Sequence, residues 1–351
     1  MKKVLLVVLM ILLVSSLMFA TGSSQSGAAA NQGPTKLRVG VMPYLASLTT
    51  KYVIDQGWDV KAGIKLETIS FPSGAPMNES MAADLLDVGI MSGAAVTAVA
   101  AFDCILVGEM GDSAGGIGLF VRPDSPIAKV KGANPKFPNV YGNAETVKGK
   151  QIFVAIGTMS HSNVIKWLDA IGSNVDSVKI ANMDFASAYQ AFLAGQGDIV
   201  ALNPPTSYKA EENGWIDVGS MTALSIPLND TMVVNPKSFN NPKLRDAVEK
   251  YMSLLLDANE LFRANPKLQE ERLLAWYKEN GSNVAPADVA KEVKTRLLIT
   301  REEARTKIKV GASAKQMATF NSSLGTLEAS KLPKFDTNVN TELWNRVINK
   351  K

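Results

Sequence analysis

Short runs of buried-type residues alternate with Ala- and Met-rich stretches of helical length along the first two thirds of the chain. "LRVGVM" (37–42), "KLETISF" (65–71), "DVGIMS" (87–92) and "CILVGEM" (104–110) read as strands. "GAPMNESMAADLL" and "GAAVTAVAAF" lie between them as helices. Strand, helix, strand at this spacing implies parallel pairing in an α/β sheet with both faces covered. After a Gly/Pro/Asn-rich loop, "KGANPKFPNVYGNAE", the pattern begins again. "KQIFVAI" (150–156), "SVKIANM" (177–183), "DIVALN" (198–203) and "IDVGSM" (216–221) alternate with helices near 161–172, 185–195 and 205–213. The two units share an arrangement: "MAADLLDVGIMSG" and "AFLAGQGDIVALNP" each run from a helix through a turn and an Asp into a buried strand.

From Asn241 the pattern changes to long amphipathic helices, "NPKLRDAVEKYMSLLLDANELFRANP", "LQEERLLAWYKEN" and "PADVAKEVKTRLLI", with no further strands evident. Such a tail has no sheet of its own, so it is expected to pack back on the first unit and the linkers. The chain returns from the second unit through "TMVVNP" (231–236), which places a crevice between two lobes. Ligands in open α/β sheets sit outside the carboxyl ends of the strands. Hinges are expected near 120–127 and 233–239, where Pro123, Pro126 and Pro236 punctuate the crossing segments.

The first twenty residues, "MKKVLLVVLMILLVSSLMFA", have the order of a cleaved secretory signal, and the apolar run is short for a membrane span. Cleavage is expected after Ala20, with "GAAA" at 27–30 as a second candidate, and 21–34 reads as a flexible leader. No cysteine precedes Cys104, so no lipid anchor is expected. Of 37 basic residues only Lys2 and Lys3 lie in the signal, which leaves the remainder nearly neutral against 33 acidic ones. That balance gives no electrostatic case for nucleic acid. One cysteine cannot form an internal disulfide, and Cys104 reads as a small core hydrophobe. With 46% hydrophobic residues there is material for two cores of ordinary size.

The only histidine, His161, stands in "VAIGTMSHSN" (154–163), where a strand hands over to a helix. Gly157 permits a tight turn there, Thr158 or Ser160 can cap the helix, and the first free N–H groups make an anion site. A neutral imidazole can donate to the same anion. The alternative reading keeps Ser160 as an ordinary N-cap and lets His161 pack. Tyr44, Leu45 and Ser47 follow the first strand, with Pro43; Ser73 and Gly74 open another helix; Ser92, Gly93 and Ala94 form "MSGAA", where an unhindered backbone can approach a ligand. For each of these a tight strand-to-helix turn explains the residues equally well. Asp112 and Asp230 would suit a cationic group, although a solvated turn carboxylate is the commoner fate.

"LRVGVMPYLASL", "ISFPSGAPMNESMAADLLDVGIMSGAAVTAVAA", "VKGKQIFVAIGTMSHSNVIKWLDAIG" and "ANMDFASAYQAFLAGQGDIVALNPPTSY", in this order, resemble the ABC-transporter substrate-binding proteins of the nitrate, aliphatic-sulfonate and taurine group. The superfamily also holds binding proteins for thiamine pyrimidine precursors. The resemblance implies an α/β, two-lobed periplasmic-binding-protein fold (type II-like), with a ligand cleft between the lobes and the helical tail packed on lobe one. Lobe one is then 35–122, lobe two 123–232, and 233–351 returns to lobe one and forms the tail. It also implies a monomeric periplasmic protein that closes on a small solute and delivers it to a membrane permease with its ATPase. Thr158, Ser160 and His161 carry over to the ligand pocket, as do Asn203 and Pro204 of "LNPPTSY". Many members have a Trp before that loop, whereas Leu202, Asn203 and Pro204 here follow Ala201, which widens the pocket toward larger or heterocyclic ligands.

An enzyme would have to find its chemistry with one His and one Cys. There is no Gly-x-Ser-x-Gly elbow, no His pair or Cys cluster for zinc and no Walker loop. No cofactor or metal is therefore expected, although some relatives on this fold are pyrimidine-pathway enzymes. A ligand-presenting sensor protein would share every feature above.

Overall fold

The computed structural model describes residues 33–156, 158–323 and 325–350. The expected signal segment, the expected leader up to residue 32, and Gly157 lie outside the described residues. Among those described, ten strands form two five-stranded sheets. The first contains β1 (Thr35–Val41), β2 (Ile64–Ser70), β3 (Val88–Met91), β4 (Ile105–Asp112) and β10 (Asn229–Val234), in the order β2-β1-β3-β10-β4. The second contains β5 (Gly118–Val121), β6 (Gln151–Val154), β7 (Lys179–Asn182), β8 (Ile199–Leu202) and β9 (Ile216–Asp217), in the order β7-β6-β8-β5-β9. This is the α/β, two-lobed arrangement expected from the strand and helix pattern.

Each sheet is a parallel trio joined to an antiparallel strand that comes from a crossing between lobes. In the first, β1 pairs in parallel with β2 and β3, and β10 runs antiparallel between β3 and β4. In the second, β6 pairs in parallel with β7 and β8, and β5 runs antiparallel between β8 and β9. The Asp shared by the two sequence units has one function in both. Asp87 accepts from the backbone N–H of Arg38 in the neighbouring strand β1, 2.8 Å, and Asp198 accepts likewise from Gln151 of β6, 2.9 Å. A cation closes each carboxylate, Arg38 in one lobe and Lys150 in the other. The charge-assisted bond fixes where each buried strand enters its sheet.

The crossings lie at 113–117, between β4 and β5, and at 218–228, between β9 and β10. This corrects the expected hinges at 120–127 and 233–239 and moves the lobe boundaries with them. β5 already belongs to the second sheet, and β10 followed by the Pro236–Asn240 helix belongs to the first lobe. Pro123, Pro126 and Pro236 mark the far ends of these strands, while the first crossing, "SAGGI", is built mainly of small residues. In the first crossing, a Cβ on Gly115 would stand 2.4 Å from the Thr295 carbonyl oxygen. Gly116 has φ +80° and would place one 2.7 Å from Pro204. Only glycine fits between the tail and lobe two there. "IDVGSM" is likewise shorter than expected: its strand ends at Asp217, whose Oδ1 accepts from Gly219 N–H and turns the chain.

The helical tail packs on the first sheet, as expected. Tyr251, Leu255 and Phe262 of the Pro242–Ala264 helix share one apolar cluster with Val39 and Val88, and the Tyr251 hydroxyl meets Thr50 Oγ1 at 2.6 Å. Asn259 donates to the carbonyls of both Met110 and Ile299, tying the end of β4 to the tail. Beyond it the chain makes single bridges to β4, Leu298 with Gly111 and Val339 with Leu106, so the free edge of that sheet is covered.

Glu109 of β4 is fully buried where the tail crosses the sheet. Its two carboxyl oxygens accept from Thr231 Oγ1 and from the Gly311 N–H, each at 2.8 Å. Burial nevertheless raises its pKa to about 7, from an ordinary value of 4.5. The folded state therefore holds a proton that the unfolded chain loses first. The stability this adds is fully present below about pH 4.5 and is lost as pH rises to about 7, a total on the order of 3 kcal/mol. Denaturation of the wild type and Glu109→Gln at pH 5 and pH 8 checks this: the wild type should lose more stability over that interval than the variant. Equal losses would mean that Glu109 is ionised in the fold.

Candidate functional site

The carboxyl ends of β1, β3, β6 and β8 lead into loops that hold most of the candidate residues. After β1 the chain turns back on itself: Ser47 Oγ accepts from the Met42 N–H, 2.9 Å, and Leu45 joins the core of lobe one. Leu45 and Ser47 thus point inward. Tyr44 stays half-buried at the surface of that turn, and its hydroxyl donates to the Pro72 carbonyl at 3.4 Å. Ser73 is exposed at the N-cap of the Gly74–Ala82 helix.

Ser92, Gly93 and Ala94 lead from β3 into the Ala94–Phe102 helix. Ala94 packs against Gly74, where an added Cβ would stand 2.3 Å away, and its carbonyl accepts from Asn78 Nδ2 at 2.9 Å. The loops after β2 and β3 are thereby brought together. Ser92 Oγ donates to Asp230 Oδ1, 3.2 Å. Gly93 has helical backbone angles, so its absent side chain matters for space alone. A Cβ there would lie 2.0 Å from Met159 Sδ.

Met159 opens the Met159–Ala170 helix of lobe two, and its side chain packs against the apolar cluster of lobe one. The two lobes meet at this contact. Thr158 caps the same helix in extended conformation, but its hydroxyl donates backward to the Ala155 carbonyl, 2.6 Å, and not to the helix. Ser160 is buried in the first turn. His161 is half-buried and makes no side-chain hydrogen bond among the described residues; burial lowers its pKa, so the neutral imidazole prevails. Asn203 and Pro204 follow β8, and Pro204 packs on Gly116 of the first crossing. None of the four helices that start at these loops, beginning at Gly74, Ala94, Met159 and Thr206, has a side-chain cap. Asp184, Asn241 and Asn340 do cap helices elsewhere. Backbone carbonyls take part of each first turn, the His161 N–H donating to Thr158, Ala95 to Ser92 and Ser207 to Asn203, so it is the leading N–H groups that water or a ligand can reach.

At the base of the crossings lies a buried polar assembly that the sequence pattern did not bring forward. Arg296, from the tail, donates through Nη1 to Glu292 Oε1, 3.0 Å, and through Nη2 to Ser113 Oγ, 2.6 Å. Glu292 also accepts from the Tyr277 hydroxyl, 2.7 Å. Burial opposes the charge on Arg296, yet Glu292 and Asp230 more than offset it and hold its pKa above the ordinary value. Asp230 is itself buried, which raises its pKa despite the nearby Arg296 and the hydroxyls of Ser113 and Ser92. Lobe two joins this assembly through Tyr208, whose hydroxyl meets Thr295 Oγ1 at 3.1 Å, and through the ion pair of Glu211 with Lys291. Asp112, the other carboxylate considered, is exposed and accepts from the Ala114 N–H. The signal for Arg296 was a Glu four residues before an Arg near a helix end, a spacing that exposed helices use freely.

No known family profile matches the chain. It is 41% identical over 349 residues to a Brachyspira hyodysenteriae protein named as an ABC transporter periplasmic binding protein, covering 99% of this chain and 100% of the relative. It is 30% identical over 203 residues, 56% of each chain, to a Bacillus subtilis protein named for binding aliphatic sulfonates. The alkanesulfonate-binding protein from Xanthomonas axonopodis, solved bound to MOPS, shares the fold with a TM-score of 0.66 at 17% identity, over 88% of this chain and 99% of that one.

The contact of Gly93 with Met159 generates an expectation about lobe spacing. Gly93→Val should push Met159 away and enlarge the radius of gyration measured by solution X-ray scattering. Adding Met159→Ala should bring it back toward the wild-type value. A double variant that scatters like the single one would show that this contact does not set the spacing.

Proposed function

The chain belongs to the periplasmic binding proteins of ABC transporters, and from that premise we propose that its ligand is a small organic acid of the aliphatic sulfonate kind, held between the lobes. The protein is the solute-binding component of an importer, which acts with a membrane permease and its ATPase. The sulfonate reading takes support from the name of the Bacillus subtilis relative. The observation that carries it is the uncapped start of the Met159–Ala170 helix, set where lobe two touches lobe one. Free N–H groups and the positive end of the helix dipole favour an oxyanion, and neutral His161 in the first turn can add one donor. Thr158, Ser160 and His161 then line the anion end from lobe two. Tyr44, Ser73, Ser92, Gly93 and Ala94 face it from lobe one, with Asn203 and Pro204 at the rim. Leu45 and Ser47 serve by holding the turn that presents Tyr44.

A ligand that touches both lobes favours the closed arrangement by its higher affinity for it, with 113–117 and 218–228 as the flexing segments. Both halves of the site come from one chain, so a monomer suffices. Residues 1–20 direct export and are removed, and the protein works in the periplasm. The name of the Brachyspira relative supports a binding role without catalysis, and burial pushes the Cys104 thiol up to about 12, so that cysteine holds no thiolate.

A thermal-shift series tests the ligand class. An alkanesulfonate at about 100 times its dissociation constant should add roughly 2.7 kcal/mol of stability, a rise of several degrees for a chain of this size. Nitrate should leave the midpoint unmoved. A response to nitrate with none to any sulfonate would refute the reading. His161→Ala should leave the unliganded midpoint within about a degree and weaken sulfonate binding about ten- to hundredfold, the worth of one hydrogen bond to a charged group. Unchanged affinity by calorimetry would remove His161 from the site.

A further inference from the structure

The helical tail packs on both faces of the first sheet, and from each face it reaches lobe two. Val289 and Val293 of the Pro286–Thr295 helix belong to the apolar cluster that holds Val107 of β4. Met317 and Ala318 of the Ala312–Ser323 helix belong to the cluster that holds the adjacent Leu106. Adjacent residues of a strand point to opposite faces, so these two tail helices stand on opposite sides of the sheet. Lobe two is divided in the same way. Phe153 of β6 shares a cluster with Ala210 of the Thr206–Glu212 helix, while its neighbours Ile152 and Val154 share another with Trp167 of the Met159–Ala170 helix.

Each tail helix touches one of these lobe-two helices. On one flank the Tyr208 hydroxyl and Thr295 Oγ1 lie 3.1 Å apart, Lys291 pairs with Glu211, and Lys291 Nζ stands 5.2 Å from the centre of the Tyr208 ring. On the other flank Lys166 Nζ stands 5.4 Å from the centre of the Phe320 ring. The first flank is also fastened to the hinge itself. Arg296, directly after its helix, donates to Ser113 at the start of the first crossing, and Gly115 makes room for the Thr295 carbonyl. These contacts are made together with the touch of Gly93 on Met159 at the ligand edge.

We propose that the tail is a two-sided clasp, which holds the lobes of the ligand-free protein in the arrangement where Gly93 meets Met159. The contacts are individually weak: Lys291 and Glu211 are 39% and 43% exposed, and an ion pair so open to water shifts an equilibrium by a factor of about five at most. A lobe equilibrium with a minor state of about 0.1–10% answers to factors of that size, so contacts that add little to folding can still set closure. Their placement matters as much as their strength. A contact on one flank lets the lobes twist away from it, whereas contacts on opposite faces oppose the twist and leave the bend about 113–117 and 218–228. The clasp acts whatever solute fills the cleft.

Pulsed dipolar spectroscopy on the ligand-free protein tests it. Spin labels go on Lys65→Cys of β2 and Lys179→Cys of β7, both exposed and each on an outer strand of its sheet, while the buried Cys104 stays unlabelled. Glu211→Lys and Lys291→Glu each set like charges face to face, and each should lengthen the main distance between the labels and broaden its distribution. The double swap, Glu211→Lys with Lys291→Glu, should return both toward the wild type, which a merely destabilised fold would not do. Phe320→Ala should lengthen the distance from the opposite flank; should it fail to fold, Lys166→Met removes the charge from the same contact. Single reversals that leave the distances unmoved or shorten them overturn the clasp, as does a double swap no nearer the wild type than the singles. A response from the Glu211 and Lys291 side alone overturns its two-sided form.

Discussion

Everything in this molecule depends on two strands that arrive in sheets they did not start in. β10 returns from lobe two to lie between β3 and β4, and β5 leaves lobe one to lie between β8 and β9. Each is held by ladders on both sides, so the crossings at 113–117 and 218–228 are clamped at both ends, and the Ser113 N–H ties one to the other by donating to the Leu228 carbonyl. The same antiparallel insertion sets the first residues of β10 against the last residues of β3. Asp230, at the start of β10, thereby meets Ser92 at the edge where the parallel strands end, which is the edge that open α/β sheets use for ligands.

The lobes were legible in the sequence because their strands are buried on both faces and bounded by turns. "DVGIMS" and "DIVALN" could be matched before any coordinates, and the Asp that opens each one makes the same backbone bond in both lobes. What pattern could not supply was sheet membership. "GLFV" and "TMVV" look the same whichever sheet receives them, so the crossings were placed at the nearest prolines instead of at Gly115–Gly116 and 218–228. The loop residues at the site were legible as loops, and no further. Ser47 turns inward because the Met42 N–H needs an acceptor, and Ser92 turns to Asp230, a partner 138 positions away. Arg296 lies in a segment with ordinary helix-surface spacing, and only the packing of the tail over both crossings makes it a buried charge.

The electrostatics of the cleft are divided. Lobe two contributes an uncapped helix start and a neutral imidazole, and β10 contributes the buried Asp230 carboxylate, which shares Arg296 with Glu292. Structural carboxylates in the same chain look different: Asp87 and Asp198 each hold a backbone N–H and a cation.

The late return of β10 also orders events in time. Lobe two is a continuous stretch from β5 to β9, whose parallel trio and inserted strand are all present once residue 217 is free to move. The sheet of lobe one has a gap at its centre until β10 follows, and the tail that covers its face and edge comes later still. Pairings so far apart along the chain form slowly, and an unfilled sheet exposes strand edges meanwhile. A chain emerging amino end first, from a ribosome or through a membrane pore, would therefore complete its second lobe before its first. The exposed edges of β3 and β4 are where a holding chaperone would have most to protect.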